Sequence, residues 1–264
     1  MLPSGQEDAI SAKALQVKGL INRAQGKLPE AIKDLDLARK IFERENDLKA
    51  VAYITGELGI VHYYQNEFLL AIENYQRATQ ACEKMKDLRG AMIGHFNVGD
   101  VLIQQGQYQQ ARSELESAFE IAHKKKLHDS ELKIGLYLVE AEISVHNLEK
   151  AQNLLNTLQP IIAMQKTLCS SGQAECLQAS LFWHQGNTIK ATEHFERSFD
   201  LLSGDECIYE RARANLEYAS FMKEHKDINN AQNALKNARR AFIAINNELG
   251  VQAAEKALLA LDVK

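Results

Sequence analysis

The side chains able to do chemistry are scattered along the chain. Eight histidines stand at positions 62, 95, 123, 128, 146, 184, 194 and 225. No two are four residues apart and no His-Glu-x-x-His string occurs, so a helical zinc site would need distant residues to converge. Cys82, Cys169, Cys176 and Cys207 form no Cys-x-x-Cys pair. They are expected to be reduced packing residues rather than a disulfide framework or zinc site. Gly56-Glu57-Leu58-Gly59 has glycines but neither a preceding strand nor a following lysine motif, so it reads as helix packing and not as a phosphate cradle. The run His123-Lys124-Lys125-Lys126-Leu127-His128 could meet a phosphate or an acidic partner. A solvated helix end, where cations complement the C-terminal dipole, accounts for so short a run more simply. Arg239-Arg240 is read the same way. With no nucleophile, acid and base in one constellation, the expectation is a protein that is not an enzyme, with no cofactor and no metal.

The elements that must position these residues are helices. The chain has 264 residues, 45% of them apolar and 25% charged, a balance that excludes a disordered tail or a collagen-like chain. Prolines number 3, about 1% against a usual ~5%, and alanine and leucine supply a quarter of the chain, which favours helix throughout. A net charge of -4 and a pI near 6.1 provide no global field for nucleic acid or an anionic membrane. No uncharged apolar run is long enough to span a bilayer, and the first residues lack the basic and apolar regions of a signal peptide. The expected location is the cytoplasm, with no nucleic-acid or membrane partner.

An offset of 40 aligns Gly19, Gly59 and Gly99, and continues to Val139, Ala179 and Ala219. Twelve residues after each stands an alanine: Ala31, Ala71, Ala111, Ala151, Ala191 and Ala231. A large apolar column follows four residues later (Leu35, Tyr75, Leu115, Leu155, Phe195, Leu235) and a mostly small one three beyond that (Ala38, Ala78, Ala118, Leu158, Ser198, Ala238). Positions i, i+4 and i+7 share one helix face. Small residues are needed where two antiparallel helices approach closely, and the large residue fills the groove beside the contact. Short polar breaks such as Gly106-Gln107-Tyr108 and Lys226-Asp227-Ile228 join the two helices of each unit, with Pro29 suited to a first helical turn.

These columns resemble the tetratricopeptide repeat, whose small residues at the eighth, twentieth and twenty-seventh positions are met by Gly19, Ala31 and Ala38, by Gly59, Ala71 and Ala78, and by Gly99, Ala111 and Ala118. The basic period of that family is 34; here it is 40, with the extra residues between hairpins. This longer variety, with phrases such as Phe96-Asn97-Val98-Gly99-Asp100, resembles the repeats of Pins-type polarity adaptors, bacterial signalling ATPases and peptide-sensing regulators. HEAT and armadillo arrays have a similar period but lack the small-to-small column twelve apart. The resemblance implies an all-α solenoid of six antiparallel hairpins in a right-handed superhelix plus a C-terminal capping helix. The whole of 1–264 is expected to be one array, with units near 5–45, 46–86, 87–127, 128–168, 169–206 and 207–246, and a terminal helix at 247–264.

Several departures carry expectations of their own. Lys18 and Asn22 occupy positions that are usually apolar or aromatic. Pro160 should kink or shorten the second helix of its unit, or end it before a loop at Cys169-Ser170-Ser171-Gly172. Ser4 and Glu7 form a capping-box pattern, which would start the array almost at Met1. Val251–Leu261 reads as an amphipathic helix that caps the last hairpin, or else as the remnant of a further hairpin in a longer protein.

The resemblance further implies that the first helices line a concave surface. Carried over by position, it nominates Tyr53, Glu57, Ile60, Tyr63 and Tyr64, then Phe96, Asn97, Asp100, Ile103 and Gln104. It continues with Lys133, Tyr137, Glu140, Ile143, Cys176, Trp183 and His184. Asn97 matches the groove asparagine of adaptor-type repeats, and its carboxamide can pair with both polar groups of a peptide backbone. Trp183 and Tyr64 suit either binding or bridging between hairpins. Glu57, Asp100, Glu140 and Glu217 tint the face acidic, favouring a basic or amphipathic peptide. The basic clamp of chaperone cofactors is not recognisable at Gln16, Val17, Leu20, Tyr53, Glu57 and Ile60. The expected function is a non-catalytic scaffold, monomeric or weakly dimeric, holding a peptide or helix of another protein. The alternative is a peptide-sensing regulatory domain.

Overall fold

A computed structural model of the protein describes residues 4–262, with side chains from 8 to 261. The described residues are all-α and form two compact units, 1–127 and 128–264. The first unit holds α1 (Ser4–Ala24), α2 (Leu28–Arg44), α3 (Leu48–Tyr64), α4 (Phe68–Lys84), α5 (Leu88–Gln104) and α6 (Tyr108–Lys124). The second holds α7 (His128–Ser144), α8 (Leu148–Gln165), α9 (Leu168–His184), α10 (Thr188–Leu201), a 3-10 turn (Asp205–Cys207), α11 (Ile208–Glu224), α12 (Ile228–Ala244) and α13 (Glu248–Asp262). Odd and even helices pair as hairpins, and α13 packs on α12. The Ser4–Glu7 capping box lies outside the residues whose side chains are described.

The columns of small residues are the hairpin contacts. All six alanines twelve residues beyond the glycine column are fully buried, and the large residues four later are at most 4% exposed. A β-carbon on Gly19 would stand 2.7 Å from Leu35 Cγ, on Gly59 2.7 Å from the Tyr75 ring, and on Gly99 2.7 Å from Leu115. In each case the alanine's carbonyl oxygen is the next neighbour, so one contact is built three times. Val139 takes the glycine's place in α7, and α7 and α8 make fewer close backbone approaches than α9/α10 or α11/α12, where alanine stands there.

The turns obey the same arithmetic. Left-handed residues occur at 26, 46, 66, 86, 106, 126, 146, 166, 186, 226 and 246. The amide two positions past a helix's C-cap reaches back five residues in most of them, as Asp47 N–H does to Phe42 O (2.9 Å) and Asp227 N–H to Met222 O (2.9 Å). Asp47, Asp87 and Asp227 then cap the next helix by accepting the N–H of Ala50, Gly90 and Asn230. Two links break this scheme. Lys166 makes only the Ile162 O bond, and α10 stops at Leu201 so that the 3-10 turn takes the place of a left-handed residue near 206.

Both exceptional links end at a cysteine. Cys169, in the first turn of α9, is bonded to Cys207, 38 residues on, with Cα atoms 5.1 Å apart. This corrects the expectation that all four cysteines are reduced. Repeat-equivalent positions are neighbours in a stack, and these two thiols sit at the starts of successive first helices. Cys82 and Cys176 are free and buried. Two further expectations change. Cys169–Gly172 is the opening of α9 and not a loop, and α8 runs through Pro160 to Gln165 without shortening. Pro160 is exposed, so the carbonyl that loses its partner faces water.

Lys18 and Asn22 are explained by α2. Lys18 Nζ (3.1 Å) and Asn22 Nδ2 (2.8 Å) hold the two oxygens of Asp34, which is 6% exposed. Lys150 and Asn147 hold the fully buried Glu142 in the same manner, at 2.7 and 2.8 Å. At the other end Ala254 and Leu261 of α13 are buried, and Ala257 and Leu258 pack on the core of the last hairpin. The capping helix is thus present.

A crosslink across this separation restricts the unfolded chain by ~2–4 kcal/mol. Reduction, or Cys169→Ser with Cys207→Ser, is expected to lower amide protection across α9–α12 and leave α1–α6 unchanged. Hydrogen exchange resolved by peptide checks this; unchanged protection in α9–α12 would contradict it.

Candidate peptide-binding surface

In the first unit the nominated residues fall on α3 and α5. Tyr53 and Tyr64 are exposed by 50% and 57%, and Ile60, Tyr63, Phe96, Asn97 and Asp100 are half-buried. Gln104 bridges the two helices, its Nε2 donating to Tyr63 Oη and, at 3.3 Å, to Asp100 Oδ1. Tyr63 meets Tyr64 edge-on, with centroids 5.6 Å apart. Glu57 is 9% exposed and lies 3.4 Å from Arg23 of α1. Burial raises the Tyr53 phenol above its ordinary pKa, and the Glu57 carboxylate adds to the rise. Tyr75, whose ring packs at Gly59, is driven up strongly by burial and then by Asp100, Tyr63, Tyr64 and Glu57. The phenols therefore stay protonated and can donate hydrogen bonds at any physiological pH. The Asn97 side chain makes no hydrogen bond among the described residues. Ile103 is 6% exposed and belongs to the core.

In the second unit α7, α9 and α11 carry the corresponding faces. Glu140 pairs with Arg213 Nη2, and the guanidinium stands over the rings of Tyr137 (4.9 Å) and Tyr209 (5.9 Å). Burial works against the Arg213 charge, but Glu140, Tyr137 and Tyr209 outweigh it and keep the cation firmly ionised. Glu217 accepts a hydrogen bond from Ser180 Oγ. Burial pushes its carboxyl above the usual carboxylate range, the Ser180 bond opposes this, and nearby Glu140 adds to it while Arg213 again lowers it. Trp183 stacks on His184 at 4.7 Å and meets Phe221 edge-on at 5.7 Å. Burial lowers the His184 pKa, helped by His146, whose ring is 5.4 Å away. Lys133 is exposed; Tyr137 is 7%, Ile143 3% and Cys176 8% exposed. Burial drives the Cys176 thiol up, which leaves it unreactive.

Sequence reasoning missed Arg213, the cation that organises this face. It stands 80 residues after Lys133 and 160 after Tyr53, in the register from which both of those were nominated. Its signal was therefore present in the column. Among the described residues no His, Cys, Asp and Glu groups are placed to hold a metal ion, and the basic run at 123–126 occupies the end of α6 and its turn.

Residues 11–84 and 94–124 match the tetratricopeptide repeat. No curated protein matches the chain in sequence. Among solved structures, the apo form of RapI superposes with a TM-score of 0.78 at 16% identity, over 89% of this chain and 84% of that one. A Rap protein complexed with competence and sporulation factor gives 0.61 at 15%, over 95% and 74%. A signal-transduction ATPase with numerous domains from Pyrococcus horikoshii, which has a tetratricopeptide repeat sensor, gives 0.69 at 16%, over 93% and 39%. At these identities the likeness is one of fold, and it extends the tetratricopeptide architecture beyond the residues matched in sequence.

A carboxyl that holds its proton more tightly when folded favours folding at low pH. The advantage is complete below the ordinary carboxylate pKa of 4.5 and is lost as pH rises through the raised folded value of Glu217. Subtracting the melting temperatures of Glu217→Gln from those of the wild type across pH 4–8 is expected to give a difference that falls with pH and then levels. A flat difference would contradict the burial of this group.

Proposed function

We propose that the protein is a non-catalytic interaction scaffold that holds a peptide or helical segment of a partner protein on the faces of its first helices. The carrying observation is the exposed tyrosine and amide cluster of α3 and α5. Tyr53 and Tyr64 offer large contact area at low entropic cost, and Asn97 has unpaired donor and acceptor groups beside them. The bias toward basic or amphipathic segments rests on Asp100, because Glu57 and Glu140 are paired with Arg23 and Arg213 and burial raises the Glu217 carboxyl. In the tetratricopeptide fold these faces form the concave side, which supports Ile60, Tyr63, Phe96, Gln104, Lys133, Trp183 and His184 as further contacts.

A second reading, a peptide-sensing regulatory domain, is favoured by the solved relatives. One is a Rap protein with a bound factor, and another a Rap conjugation gene regulator in complex with a Phr* peptide, which has a TM-score of 0.58 at 14% identity. The two readings share the same surface and differ in whether the ligand changes an output.

The scaffold is monomeric or weakly dimeric, acts in the cytoplasm and takes neither nucleic acid nor membrane as partner. No described helix is long and apolar enough to cross a membrane. The Cys169–Cys207 bond is the one observation against the cytoplasm, since disulfides are rare in that reducing compartment.

Affinity capture from cell extract, followed by titration of the purified partner, tests the proposal. Asn97→Ala with Tyr64→Ala is expected to weaken the partner at least ~10-fold, the size of a lost hot spot, while leaving the helical circular dichroism spectrum unchanged. A partner bound equally well by the variant would move the site off this face.

A further inference from the structure

A different surface is built for a ligand on α11 and α12. There α10 ends early and makes few approaches to α11, and the opening is a cleft of 660 Å3 lined by Phe199, Arg211, Asn215, Tyr218, Asn233 and Asn237, with Arg240 at its edge. Its volume falls in the ~300–1,000 Å3 range of ligand sites. None of the residues lining it is Asp or Glu, although the chain has 35 acids against 31 lysines and arginines. Two carboxylates outside the lining, Asp227 and Glu196, add to the effect of burial in raising the Tyr218 phenol; Asp227, at the start of α12, is committed to the backbone and side-chain N–H groups of Asn230.

The cleft's polar groups are of two kinds. Arg211 is fixed, its Nη1 donating to the carbonyls of Leu202 (3.1 Å), Ser203 (2.7 Å) and Gly204 (3.3 Å). Asn215, 8% exposed, donates Nδ2 to Arg211 O at 2.8 Å. Asn233, Asn237 and Arg240, in contrast, are exposed and make no hydrogen bond or ion pair among the described residues. Asparagine is a poor residue for a helix interior, so this stripe lowers helix stability without a compensating contact in the protein itself. The same register holds Lys33, Glu73, Ser113, Asn153 and Glu193 in the other second helices, so the asparagine recurs in α8 while the pair at 233 and 237 belongs to α12 alone.

Asn233 and Asn237 stand one turn apart, ~6 Å along the axis. Alternate residues of an extended chain repeat every ~6.6 Å, so both carboxamides can pair with successive outward peptide groups of one strand. Phe199 and Tyr218, packed edge-on at 5.3 Å, form an apolar wall against which a side chain of the strand can lie. We infer that this cleft binds an extended acidic segment of a partner protein, its backbone held by Asn233 and Asn237 and its carboxylates by Arg240 and Arg211. The site is separate from the tyrosine and amide face proposed above and stands on independent observations.

The probe is a fluorescein-labelled, amidated decapeptide of alternating Glu and Val, titrated against the full chain at low salt by fluorescence anisotropy. Saturable binding is expected. It should weaken at least ~10-fold in Asn233→Ala/Asn237→Ala and in Arg240→Glu, both exposed positions whose change leaves the circular dichroism spectrum intact, and also for the Gln-Val peptide. Asn97→Ala/Tyr64→Ala should bind the probe like the wild type, which separates this site from the first. No saturable binding, equal binding by either cleft variant or by the Gln-Val peptide, or tighter binding of a single-stranded oligothymidine through the same residues would overturn the assignment.

Discussion

The close approach of two helices at a residue without a side chain is the constraint on which the structure rests. A tyrosine or leucine four positions past a buried alanine occupies the volume that a β-carbon at Gly19, Gly59 or Gly99 would need. That contact sets the separation of each hairpin, and the separation sets which residues of the first helix are left on the opposite face. Where the glycine becomes Val139 the backbones of α7 and α8 make fewer close approaches, with the contact still buried. The face of α3 and α5 is therefore a consequence of the packing behind it. Tyr75 shows the connection directly, because its ring meets Gly59 while its phenol lies in the field of Asp100 and Tyr63.

The repeat also shows where regularity is given up. A left-handed residue every twenty positions, mostly not glycine, costs roughly 1 kcal/mol or more at each turn, offset by the reach-back hydrogen bond and by the aspartate caps that follow. Only the links before α9 and before α11 lack the reach-back bond, and the two cysteines join those links covalently. The shortened α10 is the counterpart of the open cleft beside α11 and α12. The irregular link before α11 is thus shared by the crosslink and the second candidate surface.

The hairpins, the turns and the capping helix were legible in the sequence because they follow from side-chain volume at a fixed spacing. The disulfide was not, since a spacing of 38 looks unrelated until the period of 40 is understood to bring repeat-equivalent positions together. Pro160 does not shorten its helix: a proline on a solvent-facing turn of a packed helix costs one bond that water replaces. Glu57, Tyr137 and Cys176 were nominated by position and are largely buried by their neighbours, whereas Arg213 was passed over although it shares a column with Tyr53 and Lys133. Position in a repeat specifies a face; whether a side chain on it is free depends on partners from neighbouring hairpins, which one unit's pattern does not contain.

The central claim, that function is displayed on a scaffold defined by glycine contacts, is open to a matched pair of substitutions within α3. A β-carbon at Gly59 would clash with the buried Tyr75 ring, whereas one at Gly56 finds only Ala78 Cβ at 3.8 Å. Thermal unfolding followed by circular dichroism is predicted to show Gly59→Ala destabilised by ~1–3 kcal/mol and Gly56→Ala neutral or stabilised by up to ~1 kcal/mol through helix propensity. Equal effects of the two substitutions would contradict the account, because the glycine column would then have no packing role.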